Sequence, residues 1–229
     1  DSYTGFQDFT KRNHIIKLNA CLTDSPYVLR FNELFKQNGE VKIIYAHSNP
    51  NVFFNQSRTL FFLEENINVD VEECFINLGR SESVTNLVDE IICSRGASLN
   101  FHSIQNDKTN SCLIKTTFLV QKKNSHVNFF VFSLKGKLIR NNLLVNLQGS
   151  RGECNFFGAS FLNQHEHLDN FIKISHLVPE CKSNQLFRSV YSGNSSGVFC
   201  GKIFVEKGAQ KTQAFQENKN LLVSKGASV

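Results

Sequence analysis

From residue 40 onward the chain alternates apolar and polar residues in short runs, broken by glycine, asparagine, serine and lysine turns. The runs are "VKIIYA" (41–46), "RTLFFLEE" (58–65), "ASLNFHSIQ" (97–105), "CLIKTTFLVQ" (112–121), "HVNFFVFSLKGKLIRNNLLVNLQG" (126–149), "ECNFFGASFL" (153–162), "FIKISHLV" (171–178) and "GKIFVEK" (201–207). Alternation with a period of two puts successive side chains on opposite faces of a strand. No ten-residue helical pattern separates these runs, so the core reads as all-β. Upstream the texture differs. Residues 1 to about 40 are irregular, and "PYVLRFNELFKQ" (26–37), closed by Asn38-Gly39, predicts a helix. The expected organisation is a partly helical N-terminal segment over 1–40 and a β core over 41–229.

The strands also recur. "SRGASLNF" begins at Ser94, "NSHVNFF" at Asn124 and "SRGECNFF" at Ser150. Aligning Leu99-Asn100-Phe101, Val127-Asn128-Phe129 and Cys154-Asn155-Phe156 sets steps of 28 and 27 residues, from first positions at 99, 127 and 154. "KGAQ" at 207 and "KGAS" at 225 reuse a similar basic-Gly-Ala corner. A period near thirty, several short strands per period, glycine corners and no W-D or kelch signal fit a parallel β-helix of stacked rungs.

One stretch poses its own question. After the strand Val198–Val205 and a turn at Lys207-Gly208, the residues Gln210, Thr212, Ala214, Gln216, Asn218 and Asn220 share one parity. Inside a β-helix such residues can hydrogen-bond along the stack, rung to rung. On a solvent-exposed edge strand they are simply tolerated. The pattern is compatible with both.

Composition narrows the class. The chain of 229 residues is 41 % hydrophobic and 20 % charged, as in globular proteins. No run approaches the eighteen apolar residues of a membrane span, and no signal-peptide pattern opens it. The net charge of +5 comes from scattered lysines and arginines without a basic, aromatic-interleaved stripe, so no nucleic-acid partner is expected. Seven widely spaced cysteines without a C-x-x-C fit free, mostly core-packed thiols in a reducing cytosol. Methionine is absent, even at the first position, where about five would be expected at ordinary usage of roughly 2 %, so the chain is expected to be a piece of a longer protein.

Candidate chemistry is sparse. In "NQHEHLDN", His165, His167 and Asp169 alternate and would share a strand face about 6.5–7 Å apart per step. Imidazole and carboxylate suit iron or zinc, but that spacing is long for ligands of one ion. His176 and Cys181 straddle Pro179 and could hold iron; a turn histidine and a packed thiol are the plainer reading. His167, Asp169, His176 and Cys181 are therefore the metal candidates. Cys200, between Phe199 and Gly201, reads as core. "GNSSG" (193–197) lacks the Lys-Ser/Thr and helix of a phosphate loop and reads as a turn. No G-x-S-x-G or ordered base supports nucleophilic catalysis, so no catalytic residue is expected and the chain reads as a non-enzyme. Arg188 and Lys211 read as structural: Arg188, with Gln210, Thr212, Gln216, Asn218 and Asn220, is expected to tie rungs together.

The region from His167 to Val229 resembles the SufB/SufD family of iron–sulfur cluster assembly proteins. The resemblance rests on His167/Asp169, His176/Pro179/Cys181/Ser183, Gln185/Phe187/Arg188/Val190, Gly197–Ile203, Ala209–Ser224 and Ala227/Val229, and is dense over about sixty residues. "SNQLFR" and "GVFCGKI" bring it closer to SufD than to SufB. Ser189, where the family often has Gly, and Cys200, where Asn or Thr is usual, depart from the pattern. "RTLFFLEEN" (58–66) extends the likeness weakly upstream. The family's Cys-Ser-His-Gly motif and helical ATPase-binding region would follow Val229, and nothing can be carried over from them.

The resemblance implies a right-handed parallel β-helix scaffold that pairs with a SufB-like paralogue and a SufC-like ABC-type ATPase, or forms a homodimer in isolation. It implies no stably bound cofactor, only transient iron or iron–sulfur cluster in the assembled complex. Separately, the missing secretion-signal pattern and the reduced cysteines point to the bacterial cytoplasm. An Asn, Lys, Phe and Ile bias like that of an AT-rich genome makes a plastid-type organelle the alternative. The competing readings are a carbohydrate-active β-helix enzyme (polysaccharide lyase or glycosidase), which needs clustered carboxylates, and a left-handed β-helix acyltransferase, whose hexapeptide period disagrees with 28.

Overall fold

The computed structural model describes residues 13–35, 39–48, 53–79, 82–108 and 110–229. Among these residues the chain forms one short helix, α1 (His14–Leu22), and fourteen strands. The odd strands are β1 (Tyr27–Phe31), β3 (Phe53–Leu63), β5 (Ser83–Cys93), β7 (Ser111–Gln121), β9 (Leu138–Leu147), β11 (His167–His176) and β13 (Ser196–Val205). They make one sheet in that order. The even strands are β2 (Gly39–His47), β4 (Asn68–Asn77), β6 (Ser98–Asn106), β8 (His126–Lys135), β10 (Glu153–Leu162), β12 (Lys182–Tyr191) and β14 (Gln213–Leu222), and they make the second. Every pairing is parallel and skips one strand, so the chain coils: one strand in each sheet, then back beside its predecessor. This is a parallel β-helix.

The register explains the repeat. Leu99 pairs with Val127 and Val127 with Cys154; Phe101 pairs with Phe129 and Phe129 with Phe156. The apolar positions of each triplet point inward and stack. The Phe101 and Phe129 rings lie parallel with centroids 4.7 Å apart, and Phe61 meets Phe101 edge-on across the two sheets at 5.6 Å. Such pairs add about 0.5–1.5 kcal/mol each beyond area burial. The central asparagines point outward and bond to one another: Asn128 Nδ2 donates to Asn100 Oδ1 (2.9 Å) and Asn155 Nδ2 to Asn128 Oδ1 (3.0 Å). Asn100 in turn donates to Asp70 (2.6 Å).

From β3 onward, the corner between each odd strand and the next even strand holds one residue in the left-handed region. These are Asn66, Gly96, Asn124, Arg151, Glu180 and Lys211, with φ between 56° and 69°. Gly96 is the residue for which this costs nothing sterically. The five non-glycine corners are held by coil-to-coil bonds such as Asn124 N–H to the Ser150 carbonyl (3.1 Å).

The N-terminal segment is partly helical, but not where the sequence places the helix. Tyr27–Phe31, inside the expected 26–37 helix, is β1, pairing Tyr27 to Thr59 and Phe31 to Leu63. Pairing satisfies the edge of β3 and buries Phe31 in the core beside Phe61 and Leu63, a gain that a solvated helix would forgo. Asn32–Phe35 then turns, and residues 36–38 lie outside the described residues. The helix that does form, α1, is capped by Asn13, whose side chain accepts from Ile15 N–H (3.1 Å) and Ile16 N–H (3.4 Å). It packs on the outer face of the odd sheet, where Ile16 joins Val88, Phe118, Val120 and Leu144.

Candidate functional site

The sequence candidates are dispersed by the fold. His165 sits exposed in the turn before β11 rather than in the strand. His167 and Asp169 share the outward face of β11, as their parity requires, but each has its own partner. The His167 ring Nδ1 lies 2.7 Å from Ser196 Oγ, and Asp169 pairs with Arg140 at 2.8 Å. His176 closes the same strand, nine steps or roughly 30 Å along it. It is wholly buried, with Nε2 bonded to Ser183 Oγ (2.9 Å) and Nδ1 without a partner; burial lowers its pKa from 6.5. Cys181, beyond the Pro179 turn, packs in the core and its thiol donates to the carbonyls of Gly149 (3.3 Å) and Pro179 (3.6 Å). Burial raises the pKa of Cys181, so it is held as a thiol rather than a thiolate. The four candidates thus form two separate places, and His176 bonds to Ser183 rather than to Cys181. No group of three or more His, Cys, Asp or Glu side chains is placed to hold a metal ion among the described residues.

The residues expected to tie rungs fall in three settings. Arg188 on β12 pairs with Glu217 on the neighbouring coil at 2.9 Å, and also donates to the Phe187 carbonyl (2.9 Å). Gln210 and Thr212 lie in the turn before β14, each bonding back within it, to Lys207 O and Ala209 O respectively (both 2.9 Å). Gln216, Asn218 and Asn220 are on the core-facing side of β14, opposite Gln185, Phe187 and Ser189. Because β14 is the last strand of its sheet, these side chains stay partly or fully accessible. The amide row is therefore both core-facing and exposed. Gln216 occupies the space that a Cβ at Gly201 would need, which accounts for a glycine mid-strand in "GVFCGKI".

The carboxylates of β4 do not converge as a carbohydrate-active enzyme would require. Asp70 and Glu72 point outward, to Asn100 and to Lys42 (2.6 Å), whereas Glu73 points inward.

Glu73 belongs to an interior cluster that sequence reasoning missed. Lys115 on β7 reaches across the core from the odd sheet and forms an ion pair with Glu73 Oε2 on β4 and, at 3.0 Å, with Asp89 Oδ2 on β5. All three side chains are at most 3 % exposed. Ser103 Oγ donates to Glu73 Oε2 (2.8 Å), and the ammonium stands 4.9 Å from the Phe101 ring centroid. Burial pushes Asp89 up to about 7, with Lys115 opposing and the Glu73 carboxylate adding to the rise. Burial alone would lower Lys115, but the charges of Asp89 and Glu73 outweigh it and raise its pKa. Beyond Lys115 the interior stays polar: Gln105 donates to Asn141 (2.7 Å) and Asn141 to Asn170 (2.9 Å). A sequence signal existed. Lys115 shares parity with Leu113 and Leu119, and Glu73 with Val71 and Phe75, so each is a charge in an inward column.

A coiled parallel sheet with stacked interior columns defines the molecule as a parallel β-helix. Comparison with known proteins identifies the class further. The family model described as "SUF system FeS cluster assembly, SufBD core domain" matches residues 45–229, from β2 to the end of the chain. The chain belongs to that family. It is similar to the iron–sulfur cluster assembly SufBD family protein slr0076 of Synechocystis sp., with 28 % identity over 188 residues, 79 % of this chain and 42 % of that protein. It is also similar to Protein ABCI7, chloroplastic, of Arabidopsis thaliana, with 29 % identity over 216 residues, 92 % of this chain and 43 % of that protein. A third relative, the SufBD family protein Rv1462 of Mycobacterium tuberculosis, is 28 % identical over 101 residues, 41 % of this chain and 25 % of that protein. The chain spans less than half the length of these relatives. Family membership supports a role in iron–sulfur cluster assembly.

Proposed function

We propose that this chain is the β-helix core of a SufD-like scaffold subunit. It pairs with a SufB-like paralogue and a SufC-like ABC-type ATPase, and turns over no substrate itself. Iron or a nascent iron–sulfur cluster is transient cargo of the assembly, and ATP is bound by the partner. The observation that carries the reading is that the SufBD core match runs through the stacked coils from β2 to β14. "SNQLFR" in β12 and "GVFCGKI" in β13 favour the SufD side of the family. The compartment proposed is the bacterial cytoplasm, consistent with seven cysteines that are all free thiols; the chloroplastic relative keeps a plastid as the second setting. No described helix is long and apolar enough to cross a membrane.

The test is genetic and enzymatic. In cells whose iron–sulfur assembly depends on the SUF machinery, the gene is deleted and the activity of a cluster-dependent dehydratase is measured. The reading predicts loss of dehydratase activity, with apoprotein level unchanged and restoration by the full-length gene. Undiminished dehydratase activity in the deletion strain overturns it.

A further inference from the structure

Glu73, Asp89 and Lys115 present an unbalanced charge count in a dry place. Two carboxyl groups face one ammonium, and all three side chains are essentially sealed from solvent. A net charge left in a protein interior is strongly unfavourable even after relaxation, and groups so placed neutralise instead. The oxygens show where. Glu73 Oε1 and Asp89 Oδ1 receive no hydrogen bond, and Asp89 Oδ2 has only the Lys115 ammonium, which it shares with Glu73 Oε2. Two ionised carboxylates are acceptors only and cannot bond to each other; a single added proton turns one into a donor.

The surroundings fix the count. Around Asp89, β7 contributes Lys115, β4 contributes Glu73, β2 contributes Tyr45, and β3 and β6 contribute the uncharged Thr59 and Ser103. Arg58 and Glu90 pair with each other on the outer face at 2.5 Å. No second cation therefore faces the carboxylates among the described residues. Open space lies on the first-coil side. Thr59 is the register neighbour of Asp89, its hydroxyl lies 3.3 Å from Tyr45 Oη, and both residues line an open cavity of about 520 Å³ between β1, β2 and β3.

We propose that Glu73, Asp89 and Lys115 form a proton-binding site inside the β-helix, in which the two carboxyl groups retain one proton at neutral pH and exchange it with solvent past Thr59 and Tyr45. The bound proton sits on Asp89, whose Oδ1 meets no donor, whereas Glu73 Oε2 is already held by Lys115 and Ser103. Binding is a simple protonation: the Asp89 carboxylate accepts a solvent proton to become a carboxylic acid that can donate to Glu73, and the interior passes from net −1 to neutral.

The test is ¹³C NMR of the full-length protein labelled at Asp and Glu side-chain carboxyls, titrated between pH 5 and 9. The expected result is one carboxyl resonance at the protonated position at pH 6, moving to the ionised position as pH rises through neutrality, and lost in Asp89→Asn. In Glu73→Gln that resonance moves to the ionised position at lower pH, because the repelling charge is gone. If Asp89→Asn fails to fold, the Glu73→Gln titration still decides. Wild-type protein with every carboxyl ionised at pH 6, or a protonated resonance unmoved by Asp89→Asn or by Glu73→Gln, overturns the proposal.

Discussion

Asn19 on α1 donates through Nδ2 to the backbone carbonyl of Asn86 on β5, at 3.0 Å and wholly buried. The same amide reaches Ser57 O on β3 (2.9 Å), and Asn86 Nδ2 returns a bond to Ile15 O (2.9 Å). Two asparagines thus fix a nine-residue helix, too short to stand alone, against the outside of a sheet. Asn19→Leu should cost about 1–3 kcal/mol, the cost of unmaking buried polar contacts. Urea denaturation checks the magnitude. Hydrogen exchange should show α1 amides losing protection while β9 amides keep theirs.

Gly158 on β10 pairs in register with Phe187 on β12, and a Cβ at 158 would overlap the Phe187 ring. The ring fills the inward column that glycine leaves empty and also meets Phe199 at 5.1 Å. Gly158→Val should therefore destabilise by about 1–3 kcal/mol through overpacking. Adding Phe187→Ala should recover part of that loss, a non-additivity that a double-mutant cycle measures.

The left-handed corners make the opposite prediction. Arg151 occupies a φ of 59° that costs an L-residue about 1–2 kcal/mol, whereas Gly96 holds the equivalent corner freely. Arg151→Gly is expected to be neutral or stabilising by up to about 1 kcal/mol, since glycine's larger unfolded-state entropy offsets part of the relief. A thermal melt that drops sharply would show that the arginine side chain contributes more than its backbone costs.

Two buried groups set opposite trends with pH. Asp89 is pushed up from 3.8 to about 7 in the folded protein, so the folded state holds the extra proton between those values. Its contribution is fully present below about pH 4 and is lost as pH rises through about 7. His176 is pushed down from 6.5 by burial, so the folded state sheds a proton. Its contribution is present above pH 6.5 and is lost as pH falls toward the depressed value. Urea midpoints measured from pH 4 to 9 should show both limbs. Asp89→Asn should flatten the fall on the alkaline side, and His176→Gln the fall on the acid side.

The coil period was legible because the inward columns are apolar where it was read. Leu99, Val127 and Cys154 stack, Phe101, Phe129 and Phe156 stack, and the intervening asparagines mark the outer face. β5 escaped the same reading because both its faces are buried, the outer one beneath α1, so "SVTNLVDEIIC" does not alternate. The helix was misplaced because "PYVLRF" carries no local signal that it will pair with a strand some thirty residues later. The interior ion cluster was hidden for a related reason. Its members come from β4, β5 and β7, separated by up to 42 residues, and only the coil register brings them together. His167 and Asp169 were correctly assigned to one face, but the partners that occupy them, Ser196 and Arg140, lie one coil to either side.

The most direct test of the scaffold account is affinity purification of the tagged full-length protein from its own cells, with subunits identified by mass spectrometry and their ratio by native mass measurement. The account predicts a defined complex containing an ABC-type ATPase and a second SufBD-family chain. Recovery of the protein as a free monomer or homodimer, with neither partner at stoichiometric level, would contradict it.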